Sequence, residues 1–102
     1  MAAYMIITAE VTDPARFRDD YGRPAAALMA RYGGRYLLEA PRAELLEGDF
    51  GDAASMIISE WPDKKTARLF WDSPEFTKLR KRQEKLATCQ VLLIESPFMN
   101  PV

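Results

Sequence analysis

Arg35 is one candidate for a ligand-binding residue, because of the residues that flank it in the sequence. It directly follows a pair of glycines and is flanked by the phenols of Tyr32 and Tyr36. A guanidinium between phenols can hold a small carboxylate through paired hydrogen bonds. The alternative is that the glycines only end a helix and that Arg35 pairs with Glu39 or another neighbour.

Glu60 is the second candidate, as a general base. Alternate residues of a strand share a face, so Glu60 points with Met56 and Ile58, away from Trp61. A carboxylate on an apolar face has a raised pKa and can accept a proton, and Glu10 could be its neighbour in a sheet. The alternative is that both carboxylates lie at strand ends and reach solvent or an arginine.

Aromatic side chains form a third group that could line a pocket for a planar ligand between helices and a sheet. Aromatic residues at helical spacing are more often plain core, and this alternative stays open. The group comprises Tyr4, Tyr21, Trp61, Phe70, Trp71 and Phe76.

Other polar features favour ordinary structure over a site. Ser73 before Pro74 resembles an anion-binding helix start, but a serine there is also an ordinary cap. Cys89 begins a strand without a histidine to activate it. A basic cluster near a helix end indicates a solvated face, since no stacking aromatics are interleaved with it. Its members are Lys78, Arg80, Lys81, Arg82 and Lys85.

The composition excludes several classes of site. With no histidine and one cysteine, the chain cannot form a Ser-His-Asp or Cys-His hydrolase site. The same composition disfavours a classical zinc, copper or histidine-ligated haem site within one chain, so we expect no metal and no cofactor. The net charge of −1 gives no general reason to bind nucleic acid or anionic membrane.

The chain length and the apolar pattern predict one cytoplasmic domain spanning residues 1–102. A single cysteine suits a reducing compartment. The first residues are typical of a strand rather than a signal peptide, and no apolar stretch approaches the roughly 20 residues of a membrane helix.

Four main strands are predicted, at residues 4–11, 35–39, 55–61 and 88–95, with a short extension strand within residues 43–50. Cap-then-proline signals and helical spacing predict a helix after Asp13 that is kinked or broken between residues 21 and 25 and closed by two glycines. Asp63 starts a helix over 64–71, and Ser73 starts another that ends near residue 86. The tail, residues 96–102, is expected to be irregular. Leu69, Phe70, Trp71, Phe76 and Leu79 are predicted to cover a sheet.

The predicted order is β-α-β-β-α-β, an α+β ferredoxin-like fold with a four-stranded antiparallel sheet and helices on one face. The first, third and fourth strands are apolar on both sides, but helices cover only one side. An exposed apolar sheet face is a liability unless another subunit covers it, so the sequence predicts a homodimer that packs sheet to sheet.

Three phrases resemble the family catalogued as domain of unknown function 1330. They are YGGRYL at residues 32–37, LEGDF at 46–50 and WDSPEF at 71–76. With the TDP at residues 12–14 and Tyr21, the resemblance covers nearly the whole chain. That family resembles the dimeric α/β barrels, whose members include cofactor-free monooxygenases, isomerases and small-molecule binders. The resemblance thus implies the fold and the dimer more than any function.

The chain departs from the family pattern at several positions. Residues 39–41 read Glu-Ala-Pro where the family often has an arginine and a glycine pair. Trp71 and Phe76 stand where tyrosine is usual. A helix arginine expected near Gln83 is replaced, or displaced to Arg80 or Arg82. These changes argue against an inherited proton transfer at those places.

Together these features predict a small dimeric α/β barrel that binds a small organic ligand between sheet and helices. One alternative is a cofactor-independent monooxygenase or isomerase in which Glu60 moves a proton. Another is a structural or regulatory dimer without ligand. The expected ligand-binding residues are Tyr4, Tyr21, Tyr32, Arg35, Trp61, Trp71, Phe76 and Arg80.

Overall fold

The computed structural model describes residues 1–96, so residues 97–102 of the predicted irregular tail lie outside the described residues. The strands are β1 (Ala3–Val11), β2 (Arg35–Ala40), β3 (Ser55–Trp61) and β4 (Ala87–Glu95). The helices are α1 (Pro14–Phe17), α2 (Arg23–Arg31), α3 (Lys64–Trp71) and α4 (Pro74–Gln83). None of the helices in this described part is long and apolar enough to cross a membrane.

The sheet has the strand order β2-β3-β1-β4, and every neighbouring pair is antiparallel. The two central strands, β1 and β3, are therefore the first and third in the chain. With helices between β1 and β2 and between β3 and β4, this confirms the predicted ferredoxin-like β-α-β-β-α-β fold.

The predicted helix caps are confirmed at Asp13, Asp63 and Ser73. Each side-chain oxygen accepts a hydrogen bond from the amide three residues later, at 3.2, 2.7 and 3.2 Å respectively. Pro14 and Pro74 occupy first-turn positions, where a missing N–H costs no helical hydrogen bond. The starts of α1, α3 and α4 are thus set locally by the sequence.

The predicted irregularity near Pro24 is present as a wide, five-residue turn, Arg18–Gly22, between α1 and α2. Pro24 lacks the N–H that would bond to the carbonyl four residues earlier, so the regular α-helical hydrogen bonds are interrupted there. The wide turn leads directly into α2 at Arg23, so the chain stays helical instead of breaking.

Two glycines end α2, as predicted, in a Schellman motif. The amide of Gly33 bonds to the carbonyl of Ala30 and the amide of Gly34 to that of Met29, both at 3.1 Å. Gly33 has a φ of +85°, which favours glycine. Gly34 is needed for a different reason, because a Cβ there would lie 2.7 Å from the ring of Trp61.

The predicted extension strand within residues 43–50 is wrong. This segment has no strand pairing and folds back on itself through local hydrogen bonds. The amide of Ala43 bonds to the carbonyl of Ala54 at 2.8 Å, and the amide of Leu45 bonds to the Asp52 carboxylate at 3.2 Å. These bonds make a closed loop between β2 and β3.

Two details at the helices also differ from prediction. Helix α4 ends at Gln83 rather than near Leu86, because the amides of Lys85 and Leu86 bond only three residues back, at 3.4 and 2.9 Å. The Leu86 carbonyl accepts hydrogen bonds from the amide and hydroxyl of Thr12, both at 3.1 Å. Leu69 does not cover the sheet and is 57% exposed. On α3 the buried face is made by Ala67 and Phe70 instead.

The face of the sheet that the helices cover, here called the inner face, carries the hydrophobic core. The register aligns Tyr36, Ser59, Met5 and Leu93 in one row across the four strands. Trp61 lies on the same face and is almost fully buried. The core packs this face against Leu28, Met29, Phe70, Phe76 and Leu79 of the helices.

The opposite face, here called the outer face, is also largely apolar, as the sequence predicts. Its middle row is Leu38, Ile58, Ile6 and Leu92, one aliphatic side chain from each strand. Leu38 and Leu92 are 47% and 51% exposed. None of the helices described above packs on this face.

Candidate functional site

A cavity of about 640 Å³ lies between the helices and the inner face of the sheet. Its volume is within the roughly 300–1,000 Å³ range of small-molecule sites. The sheet contributes apolar side chains such as Met5, Ile7 and Val91, while α2 contributes Ala25 and Ala26. On the helix side the lining residues of α2 are small, which leaves room next to the sheet.

Aromatic side chains form one wall of this cavity. Phe76 is central, with ring centroids 4.2 Å from Phe70, 5.5 Å from Trp71 and 6.2 Å from Tyr21. All four rings line the cavity. Trp61 extends the wall and donates its indole N–H to the Ser59 hydroxyl at 3.0 Å, so its polar atom is satisfied. The arrangement offers flat apolar surface to a planar ligand.

Arg80 brings a positive charge to this aromatic wall. Its guanidinium carbon lies 4.4 Å from the centre of the Trp71 ring and 5.6 Å from that of Phe76. One terminal nitrogen donates to the Trp71 carbonyl at 3.4 Å, a long bond. The Nε atom is buried and has no hydrogen-bond partner among the described residues. A buried N–H of this kind is costly unless something accepts its hydrogen bond.

Two phenols that line the cavity, Tyr21 and Tyr36, are held in their neutral form. Burial raises the pKa of Tyr21, and nearby Cys89 and Tyr36 add to the rise while Arg80 opposes it. Burial also raises the pKa of Tyr36, with a smaller contribution from Glu39. Both hydroxyls therefore keep their protons near neutral pH and can donate hydrogen bonds.

Gln83 and Cys89 form a polar pair on the cavity wall. The Gln83 amide donates to the Cys89 sulfur at 2.9 Å and to the Ala87 carbonyl at 3.2 Å. Burial raises the pKa of the Cys89 thiol, and the hydrogen bond from Gln83 opposes this. The thiol thus stays protonated and is a poor nucleophile, in line with the sequence-based expectation.

Exposed charged side chains lie where the cavity opens to solvent. Arg18, Arg23 and Arg42 line it, and of the described lining residues only Glu39 is acidic. Asp19 Oδ1 lies 3.8 Å from Arg18 Nε and 3.9 Å from Arg23 Nε, so this carboxylate partly offsets the charge of both arginines. When Arg80 is counted with these arginines, the side chains around the cavity carry more positive than negative charge.

A separate polar network lies on the outer face, in the row Arg35, Glu60, Tyr4 and Ile94. One Glu60 oxygen accepts hydrogen bonds from two Arg35 nitrogens at 2.6 and 2.9 Å. The other accepts from the Tyr4 hydroxyl at 3.2 Å. Arg35 thus pairs with Glu60, and not with Glu39 as one alternative proposed.

The expected raised pKa of Glu60 is wrong. Hydrogen bonds from Arg35 lower the pKa of this carboxyl, the one from Tyr4 lowers it further, and burial only partly opposes them. Such a carboxylate stays ionised and is a weak base at neutral pH. Sequence alternation placed Glu60 correctly on the face opposite Trp61, but that face is not the one with the cavity.

The structure therefore divides the predicted ligand-binding residues into two groups. Tyr21, Trp61, Trp71, Phe76 and Arg80 all line the cavity. Arg80 rather than Arg82 is thus the arginine that helix α4 places there, since Arg82 lines a different surface groove.

Four predicted residues lie elsewhere. Tyr4 and Arg35 lie on the outer face with Glu60, on the other side of the sheet from the cavity. Tyr32 packs edge-on against Phe70 at the border of the core, with ring centroids 5.9 Å apart. Tyr4, Tyr32, Arg35 and Glu60 are therefore not among the residues that line the cavity.

Sequence reasoning missed several residues that line the cavity. Gln83 could have been found, because it lies seven residues after Phe76 and three after Arg80, on the same side of a helix. Arg18 and Arg42 could not, because their positions depend on the wide turn before α2 and on the loop after β2. Glu39 could not either, because the register shift between Tyr36 and Leu38 in β2 changes the face on which it lies.

Solved structures with the same fold come from several bacteria. A protein of unknown function from Rhodopseudomonas palustris has a TM-score of 0.78 and 15% identity, covering 98% of this chain and 84% of its own. SnoaB from Streptomyces nogalater, named as a cofactor-independent oxygenase, has a TM-score of 0.70 and 22% identity, covering 99% of this chain and 98% of its own. An uncharacterised NIPSNAP domain protein from Burkholderia xenovorans has a TM-score of 0.62 and 10% identity, with full coverage of both chains.

At these identities the structural likenesses establish the fold and leave the function open. A search of curated proteins finds no significant match. The family model described as "Domain of unknown function (DUF1330)" matches residues 2–97, nearly the whole chain. By that match, and as its sequence phrases predict, the protein belongs to the DUF1330 family.

Proposed function

We propose that this protein binds a small planar organic molecule in the cavity between its helices and the inner face of the sheet. The observation that carries the proposal is the aromatic wall of Tyr21, Trp71 and Phe76 around a cavity of ligand size. A well-packed core leaves no such space, since interiors are normally filled to the density of organic crystals. A completely filled core would instead have favoured the alternative of a ligand-free structural dimer.

We further propose that the protein is a cytoplasmic homodimer paired through the outer face. The aliphatic row Leu38, Ile58, Ile6 and Leu92 would meet the same row of a second copy around a two-fold axis. A second copy of this chain suits the face because both surfaces would then be apolar and alike. The cavity lies on the other side of each sheet, so pairing leaves both cavities open.

A cavity-filling substitution tests the ligand proposal. Ala26 lines the cavity, whereas its neighbour Ala27 is exposed and outside it. We expect Ala26→Trp to abolish binding of a planar probe such as 2-naphthamide, because the indole occupies the ligand's space. Ala27→Trp should bind the probe as tightly as the wild type does. Calorimetric titration measures the affinity of the wild type and of both variants.

A bound ligand also raises the melting temperature, since 100 times its dissociation constant adds about 2.7 kcal/mol of stability. A wider panel of planar acids, lactones and phenols can be screened in this way. Equal binding by the Ala26→Trp and Ala27→Trp variants would place the ligand elsewhere and contradict the proposal. So would the lack of any stabilising compound in the panel.

A second candidate function is cofactor-independent oxygenation of the bound molecule. SnoaB, which is named as such an enzyme, shares the fold. On this chain the favouring observation is Arg80 at the aromatic wall, because a guanidinium there would stabilise negative charge on a deprotonated planar substrate. Glu60 does not suit the role of base, since it lies across the sheet from the cavity. Oxygen consumption that depends on a phenolic substrate and is lost in Ala26→Trp would support this candidate.

A further inference from the structure

The partly buried side chain of Arg80 carries a buried polar atom that the described residues leave unsatisfied. Its Nε atom has no partner among the described residues, and no described carboxylate forms an ion pair with its guanidinium. Arg80 differs in this from the described arginines that do form ion pairs, all of which are exposed on the surface. A buried N–H without an acceptor is costly, so a guanidinium that keeps one in a ligand-sized cavity indicates a hydrogen-bond acceptor from outside. Because the guanidinium has no ion-pair partner among the described residues, an anionic acceptor is favoured.

The charges around the cavity also favour an anionic ligand, and this observation is independent of the unsatisfied Arg80 Nε. The whole chain has a net charge of −1, yet Arg18, Arg23 and Arg42 line the cavity against one described lining carboxylate, Glu39. Asp19 pairs with Arg18 and Arg23, which reduces this excess of positive charge but does not remove it. A cleft lined mostly by one sign of charge attracts ligands of the opposite sign. The electrostatics of the opening and the unsatisfied Nε inside thus favour the same class of ligand.

The neighbouring groups indicate how such a ligand would lie. The guanidinium carbon lies over the Trp71 ring, 4.4 Å from its centre, which places the charge beside the aromatic wall. The protonated hydroxyl of Tyr21 is a second hydrogen-bond donor on the same wall. Two donors beside flat apolar surface suit an acidic oxygen group attached to a planar ring.

We propose that the cavity selects a planar organic anion, such as an aromatic carboxylate, whose acidic group is bound by the Arg80 guanidinium. This inference rests on the proposed ligand-binding function and specifies its chemical class. Because a carboxylate can accept a hydrogen bond at each oxygen, it satisfies Arg80 Nε and leaves an oxygen for Tyr21. A neutral analogue of the same shape fills the cavity but lacks the charge.

The test compares 2-naphthoate with the neutral, similarly shaped 2-naphthamide by calorimetric titration. We expect the wild type to bind the acid at least about 10-fold more tightly, a factor that corresponds to about 1.4 kcal/mol. Arg80→Met keeps an apolar stem against Trp71 but removes the charge. It should weaken acid binding about 10-fold and leave amide binding within about 2-fold of the wild type.

Arg82→Met is the matched control, because Arg82 lies on the same helix but is exposed and outside the cavity. It should leave both affinities unchanged. Equal affinity of the wild type for acid and amide would overturn the anion inference and leave the proposed ligand function standing. Absence of binding by either probe would overturn both. If Arg80→Met does not fold, the wild type alone decides: its affinity for 2-naphthoate should exceed that for 2-naphthamide and should fall as salt is added. An affinity for 2-naphthoate that does not fall with salt would overturn the anion inference.

Discussion

Replacing Leu92 by aspartate should leave the chain folded and convert the proposed homodimer into a monomer. Leu92 is 51% exposed in the single chain, so a charge there remains solvated when the chain is alone. In a sheet-to-sheet dimer it enters an apolar interface twice, once from each copy. Burying uncompensated carboxylates costs several kcal/mol, so we expect the dissociation constant to rise at least about 100-fold.

Leu69→Asp is the control for this experiment. Leu69 is 57% exposed, similar to Leu92, but lies on helix α3 and not on the outer face. Sedimentation equilibrium should give the mass of a dimer for the wild type and for Leu69→Asp, and that of a monomer for Leu92→Asp. A wild type that is monomeric at micromolar concentration, or a Leu92→Asp variant that stays dimeric, would show that the outer face is not the interface.

Gly34→Ala should be among the most destabilising small substitutions in the chain. A Cβ at this position would lie 2.6 Å from Met29 Cγ and 2.7 Å from the Trp61 ring, well inside van der Waals contact. Both neighbours are buried, and Trp61 is additionally held by its hydrogen bond to Ser59. Forcing core side chains apart typically costs about 1–3 kcal/mol, so the free energy of unfolding should fall by that amount.

Gly22→Ala is the matched control, since it adds the same methyl group where it makes only an ordinary van der Waals contact. The nearest heavy atom to its new Cβ would be the Phe17 carbonyl oxygen at 3.8 Å, and Gly22 already has a helical φ of −60°. Alanine there should be neutral or stabilise by about 0.4–1 kcal/mol through the unfolded state. Urea denaturation measures both variants. If Gly34→Ala is as stable as Gly22→Ala, the packing of α2 against Trp61 is not as described.

The sequence predicted the fold well because its signals are local. Capping residues with prolines mark the helix starts, and the glycine pair marks the end of α2. Strand β3 has the predicted bounds, since the residue before Pro62 is held extended. The predicted extension strand within residues 43–50 is wrong because the segment has no partner strand, and a strand forms only where a neighbour accepts its hydrogen bonds.

The candidate site was harder to predict because both faces of the sheet are apolar. Alternation separates Tyr4 from Met5 and Glu60 from Trp61, but it does not say which set faces the helices. Tyr4 was therefore grouped with aromatic residues that lie on the other face. The pairing of Arg35 with Glu60 depends on the register between β2 and β3, which the long loop between them leaves open in the sequence.

The most direct test of the account is a crystal structure of the protein soaked with 2-naphthoate. We predict that the ring lies against Trp71 and Phe76 on the inner face, with the carboxylate within hydrogen-bond distance of Arg80 Nε. A ligand bound instead on the outer face beside Arg35 and Tyr4, or an empty cavity at a concentration that saturates binding in solution, would contradict it.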